Sequence, residues 1–135
     1  MKITICGGGN LGHVCAGFLS ANGENQVSLL TRKPGVWSKH IDVTDCKGNV
    51  FHGKLERISN IPEEVVPDAD VVLICLPGYA IENELKSIAP HLSPSCLVGS
   101  VVSNTGFFFA AFETLPREQP LFGFQRVPFI SRITW

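Results

Sequence analysis

The chain has 135 residues, the size of one domain, and its 11 Lys+Arg nearly balance 12 Asp+Glu for a formal net charge of −1. That balance lacks the basic footprint of phosphate-backbone binding, so no nucleic-acid partner is expected. Hydrophobic residues make up 44% and charged residues 17%, against a usual charged share of ~25%; this excludes a disordered chain and points to a surface partly covered by something else.

The elements read in chain order. Lys2 to Cys6 (KITIC) is short, β-branched and followed by three glycines, the pattern of a strand buried on both faces. From Asn10 to Asn22, Leu11, Val14, Cys15, Phe18 and Leu19 recur at helical spacing, and Asn22-Gly23 is a C-terminal signal. Gln26 to Leu30 (QVSLL) reads as a second strand, completing a βαβ unit of ordinary size. Arg32 to Leu55 is broken at Pro34-Gly35, and a hairpin with its turn at Cys46-Lys47-Gly48-Asn49 is expected there, as an excursion in the middle of the sheet. Asn60 is positioned to cap a short helix with Pro62, Glu63 and Glu64 in its first turn, ended by Pro67. Val71 to Leu76 (VVLICL) is the most strand-like run, and Tyr79 to His91 returns to helical period through Ile81, Leu85 and Ile88. A strand over Cys96 to Val102, a helix over Phe107 to Leu115 and a last strand over Leu121 to Gln125 follow. The alternation predicts one α/β domain over residues 1–135, a Rossmann-type doubly wound, mostly parallel sheet in three α/β/α layers with strand order 3-2-1-4-5-6.

The sharpest signal is Gly7-Gly8-Gly9-Asn10-Leu11-Gly12, a G-x-G-x-x-G between a predicted strand and a predicted helix. Gly7 permits the tight turn, Gly9 lets backbone N–H groups approach a pyrophosphate, and Gly12 lets the helix pack close to the strand; Asn10 and Leu11 complete the turn. At the end of the second strand, where an NAD or FAD site offers a carboxylate to the ribose hydroxyls, the chain has Thr31-Arg32-Lys33. Two cations in place of an acid favour a 2′-phosphate, hence NADP over NAD, and disfavour FAD and S-adenosylmethionine; a solvated surface pair beside Pro34 is the competing reading. The loop Leu76-Pro77-Gly78-Tyr79 leaves the carboxyl end of a strand, where open α/β sheets place their ligands. Tyr79 either faces the nicotinamide end or packs on the sheet edge. Ser103 and Asn104 are polar handles in a similar loop.

His13, His40, His52 and His91 have no recognisable partners and read as solvated or structural, with no metal-site spacing and no catalytic set in the chain. Five cysteines, an odd number without C-x-x-C, read as free thiols in a reducing compartment. With no basic-then-apolar leader before the first strand and no ~18-residue apolar run, a cytoplasmic protein without a membrane partner is expected. Seven of nine phenylalanines lie from Phe107 onward, and Trp135 is the last residue. They serve either the core or, as the favoured reading, a surface for a second domain or a second copy of the chain.

The motifs GGGNLGH (Gly7 to His13), LPGYA (Leu76 to Ala80), SNTGF (Ser103 to Phe107) and VPFISRI (Val127 to Ile133) resemble the amino-terminal half of NAD(P)-dependent octopine/nopaline (opine) dehydrogenases, and more distantly ketopantoate reductases and glycerol-3-phosphate dehydrogenases. The resemblance covers nearly the whole chain, though only the first motif is sharp. It implies an oxidoreductase that reductively couples an amino acid to a 2-oxo acid, or reduces a 2-oxo acid, with NAD(P)H. It also implies catalytic residues in a carboxyl-terminal helical domain that this chain lacks, so no catalytic residue carries over and the chain alone is expected to be inactive. Cofactor positions transfer at Gly7, Gly9, Asn10 and Gly12, and less securely at Leu76 to Ala80. The alternative expectation is a stand-alone, non-catalytic NAD(P)-sensing or interaction module.

Overall fold

The computed structural model describes residues 1–103 and 106–134. The strands are β1 (Lys2–Cys6), β2 (Gln26–Leu30), β3 (His40–Thr44), β4 (Val50–Lys54), β5 (Arg57–Ser59), β6 (Val71–Ile74), β7 (Leu97–Ser100) and β8 (Leu121–Gly123). The α-helices are α1 (Asn10–Ser20), α2 (Pro62–Val65), α3 (Gly78–Ile88) and α4 (Phe107–Thr114). Six strands form one parallel sheet in the order β5-β2-β1-β6-β7-β8. With the β3–β4 pair set aside, this is the expected 3-2-1-4-5-6.

Strand alternation sends successive side chains to opposite faces. Ile3 and Ile5 of β1, Leu73 and Cys75 at β6, and Cys15 and Ala16 of α1 share one apolar cluster. Cys6, Val72, Ile74 and Val98 face the other side and meet Val65 of α2, Ile81, Leu85 and Ile88 of α3, and Phe107 and Ala111 of α4. The sheet is therefore the middle of three layers. The strands are apolar on both faces because helices cover both.

Two expectations need correction. The β3–β4 hairpin is not inserted in the sheet; it forms a separate two-stranded antiparallel sheet packed on α1. Its half-buried alternation leaves one face for α1, and a Cβ on Gly53 would lie 2.4 Å from the Gly17 carbonyl oxygen, so backbone meets backbone there. The hairpin turn falls where expected, with Asp45 Oδ1 accepting from the Lys47 and Asn49 amides. The third strand of the main sheet is β5, a three-residue segment too short for periodicity to reveal. Asn60 does not cap α2 either: Ile61 holds the N-cap position without a side-chain bond, while Ser59 Oγ accepts from the Ile61 amide and donates to Glu64. No helix among the described residues is long and apolar enough to cross a membrane.

Candidate functional site

All six strands of the main sheet run in one direction, so the segments leaving β1, β2, β6 and β7 emerge along the same edge. The chain reverses its order of travel between β1 and β6, which opens a crevice at that edge. The glycine turn occupies its centre.

Each glycine of the turn has its own reason. Gly7 has φ +127°, and a Cβ there would lie 2.4 Å from the Cys75 carbonyl oxygen. A Cβ on Gly12 would lie 2.2 Å from the Gly7 carbonyl oxygen, so α1 enters directly against the turn. Gly8 is crowded by Thr31 and Trp37. A Cβ on Gly9, by contrast, would meet nothing within 4 Å. Gly9 is also the N-cap of α1, no side chain caps the first turn, and no acidic residue sits in it. The positive end of an 11-residue helix thus has, among the described residues, no side-chain cap at Gly9, the arrangement that suits an anion.

The surroundings brace this turn. His13 stacks on Trp37 with ring centroids 3.4 Å apart, and its Nδ1 lies 2.9 Å from the Gly9 carbonyl oxygen. Burial holds its pKa below the ordinary value, against the opposing effect of the Gly9 carbonyl. Cys15 and Cys75 lie in the same core cluster below; their interaction, with burial, pushes the Cys75 thiol up, while it draws Cys15 down. The chain's last segment also reaches the turn. Ser131 Oγ donates to the Asn10 carbonyl at 3.2 Å, and the Ile133 amide donates to Asn10 Oδ1 at 3.0 Å.

Beside the turn, a cleft of about 270 Å³ is lined by Leu30, Thr31, Arg32, Asn60, Pro62, Glu84 and Ser87. It brings Thr31 and Arg32 together with residues the sequence did not single out, from the start of α2 and from α3. Arg32 and Lys33 are exposed. Glu84 is half-buried; burial raises its pKa, offset by the nearby Cys6 thiol and by the charge of Arg32. No periodicity flags Glu84, because it is one polar residue on a helix whose apolar face is what the pattern shows. A second cleft, of about 260 Å³, opens around Lys2, Glu56 and Asp68, which lie at or before strand starts, away from these loops.

On the other side of the turn, Leu76 is half-buried against the core cluster and Pro77 is the N-cap of α3. Tyr79 is 89% exposed, so it does not pack on the sheet edge. Gly78 begins α3. Ser103 Oγ donates to the carbonyl of Phe124, so its proton is engaged by the segment after β8. Asn104, the other polar handle, lies outside the described residues, as does Trp135.

Comparison with known proteins agrees with this architecture. Residues 3–117 match the family of ketopantoate reductases PanE/ApbA. Over 98% of its length the chain is 26% identical to an opine dehydrogenase of Haliotis discus hannai and, over the same share, 25% identical to an octopine dehydrogenase of Pecten maximus. It spans 37% of the length of each. The structure of octopine dehydrogenase in complex with NADH and agmatine superposes with a TM-score of 0.84 at 24% identity, covering 96% of this chain and 36% of that one. A PanE/ApbA family ketopantoate reductase from Ralstonia eutropha gives 0.67 at 22% identity, covering 91% and 40%. The family match runs from the first strand through α4, so the chain belongs to the ketopantoate reductase PanE/ApbA family.

Proposed function

We propose that the carboxyl edge of the sheet binds a nicotinamide dinucleotide, NADPH in preference to NADH, and presents it to a small 2-oxo acid or to the imine such an acid forms with an amino acid. The observation that carries this reading is the uncapped α1 terminus behind Gly9, where a side chain would project into the space an anionic group needs. Gly7, Gly9, Asn10, Leu11 and Gly12 would hold the diphosphate through backbone amides and the helix dipole. Thr31, Arg32 and Lys33 would hold the adenosine ribose, with the Arg32 guanidinium suited to a 2′-phosphate because no carboxylate stands at the end of β2. Leu76, Pro77, Gly78 and Tyr79, with Ser103 and Asn104 at the next strand end, would flank the nicotinamide. When bound, the dinucleotide supplies a hydride; this chain's residues orient it, and the exposed Tyr79 ring helps to exclude water from that end.

The substrate and the acid that completes its reduction belong, in this reading, to the further length that the relatives have. The apolar face of α4, with Phe109 79% and Phe112 71% exposed, is a suitable seat for it. On its own the chain then turns over little or no 2-oxo acid. Calorimetric titration with NADPH and NADH, for the wild type and Arg32→Ala, tests the reading. NADPH affinity is expected to fall about 10-fold in the variant, a loss of ~1.4 kcal/mol, with NADH affinity nearly unchanged. Failure of the folded chain to bind either dinucleotide would overturn it.

A further inference from the structure

The cleft beside Arg32 contains a half-buried carboxylate, Glu84. Among the described residues no cation lies within 4.0 Å of Glu84, and the lysine on its own helix, Lys86, is paired with Glu82 at 2.9 Å. The wholly buried Cys6 thiol and the charge of Arg32, which is exposed at the rim, both act on Glu84. Its carboxylate oxygens are open to the cleft, available to a donor placed there.

The remaining lining describes that occupant. Leu30 and Pro62 are apolar, while Asn60, Ser87 and Thr31 are short and polar. The volume, about 270 Å³, is near the ~300 Å³ lower end of small-ligand clefts. A flat heteroaromatic ring bearing an N–H donor fits this mixture: apolar contact for its faces and a carboxylate for the donor.

We infer that Glu84 reads the base of the dinucleotide: its carboxylate accepts a hydrogen bond from the exocyclic amine of adenine, so the cleft selects a 6-amino purine over a 6-oxo purine. This inference rests on the cofactor reading above. A 6-oxo purine turns a carbonyl oxygen toward the carboxylate, so a charge-assisted hydrogen bond is replaced by the approach of two acceptors.

The test uses the chain as it stands. It is titrated with NADH and deamino-NADH, and with NADPH and deamino-NADPH, pairs that differ at the purine 6-position, amine against oxygen, and at the neighbouring N1, which gains a proton in the oxo form. The amino form of whichever cofactor binds is expected to bind about 10- to 100-fold more tightly than its deamino analogue. In Glu84→Gln the carboxamide can turn its NH2 toward the 6-oxygen, and the ratio is expected to narrow to about 3-fold or less. Equal affinities in the wild type would overturn the role of Glu84 and leave the cofactor reading intact. A preference that Glu84→Gln leaves unchanged would also overturn it. Binding of none of the four dinucleotides would overturn both. If Glu84→Gln does not fold, the wild-type comparison still decides base selection, and Glu84→Asp, which withdraws the carboxylate by one methylene, should lose the preference while keeping the charge.

Discussion

The turn between β1 and α1 and the helix α4 are both reached directly from a buried parallel strand or the loop after one, yet they use sequence in opposite ways. In the turn, the absence of side chains is the active feature: Gly7 and Gly12 are excluded by backbone oxygens from carrying a Cβ, and Gly9 keeps an approach to the helix terminus clear. In α4, side-chain mass is the feature, and one face is filled far beyond what the core can accept. Phe107 is completely buried and Ala111 nearly so, while Phe108, Phe109 and Phe112 lie outside. The difference teaches that a run of apolar residues specifies burial only for those positions that a second element covers. A run of glycines, when backbone meets backbone, specifies geometry at every constrained position.

The largest expected effect breaks the first half of this comparison. Gly12→Ala places a methyl 2.2 Å from a carbonyl oxygen that has no room to retreat, and the chain is expected to lose its cooperative thermal transition by circular dichroism. Gly9→Ala, two positions from the strictest contact in the turn, should unfold within ~0.5 kcal/mol of wild type while its dinucleotide affinity falls at least ~10-fold. A Gly9 variant that destabilises as much as Gly12→Ala would remove the distinction between the structural and the ligand-facing glycine.

Next in size is Phe107→Ala, which empties a fully buried site and should lower stability by about 3–5 kcal/mol in denaturant titrations. The pH dependence at His13 is smaller. Its pKa is lower in the folded chain than the ordinary value of 6.5, so the unfolded chain takes up that proton more readily. The stability this group contributes is complete above pH 6.5 and is lost as pH falls through the folded pKa. Comparing thermal midpoints of wild type and His13→Phe across this range should show a steeper acid decline in the wild type; parallel curves would remove His13 from the account. The smallest effect is Phe109→Ala, expected within ~0.5 kcal/mol of wild type, which sharpens the contrast with Phe107 two residues earlier.

Much of the site was legible because its signals are local. The strand Lys2 to Cys6, the glycine turn and the apolar stripe of α1 lie within 20 residues, and each is a short-range pattern whose physics does not depend on distant contacts. Thr31, Arg32 and Lys33 could be placed beside the turn because β2 follows α1 by a short crossover of defined hand. Three features were not legible. β5 is only three residues long and is held by β2, a partner some 30 positions earlier. The seat of the β3–β4 hairpin depends on Gly17 and Gly53, whose carbonyl and α-carbon meet across 36 positions. The bonds from Ser131 and Ile133 to Asn10 span more than 120 positions, and neither motif hints at the other.

The sequence by itself therefore determined the fold class and the chemistry of the first turn, since periodicity and glycine spacing act through neighbours a few residues apart. Tertiary structure alone decided which phenylalanines are buried and where the hairpin packs. It alone placed Glu84 in one cleft with Arg32, because such juxtapositions arise only when strands and helices remote in sequence converge on the same edge of the sheet.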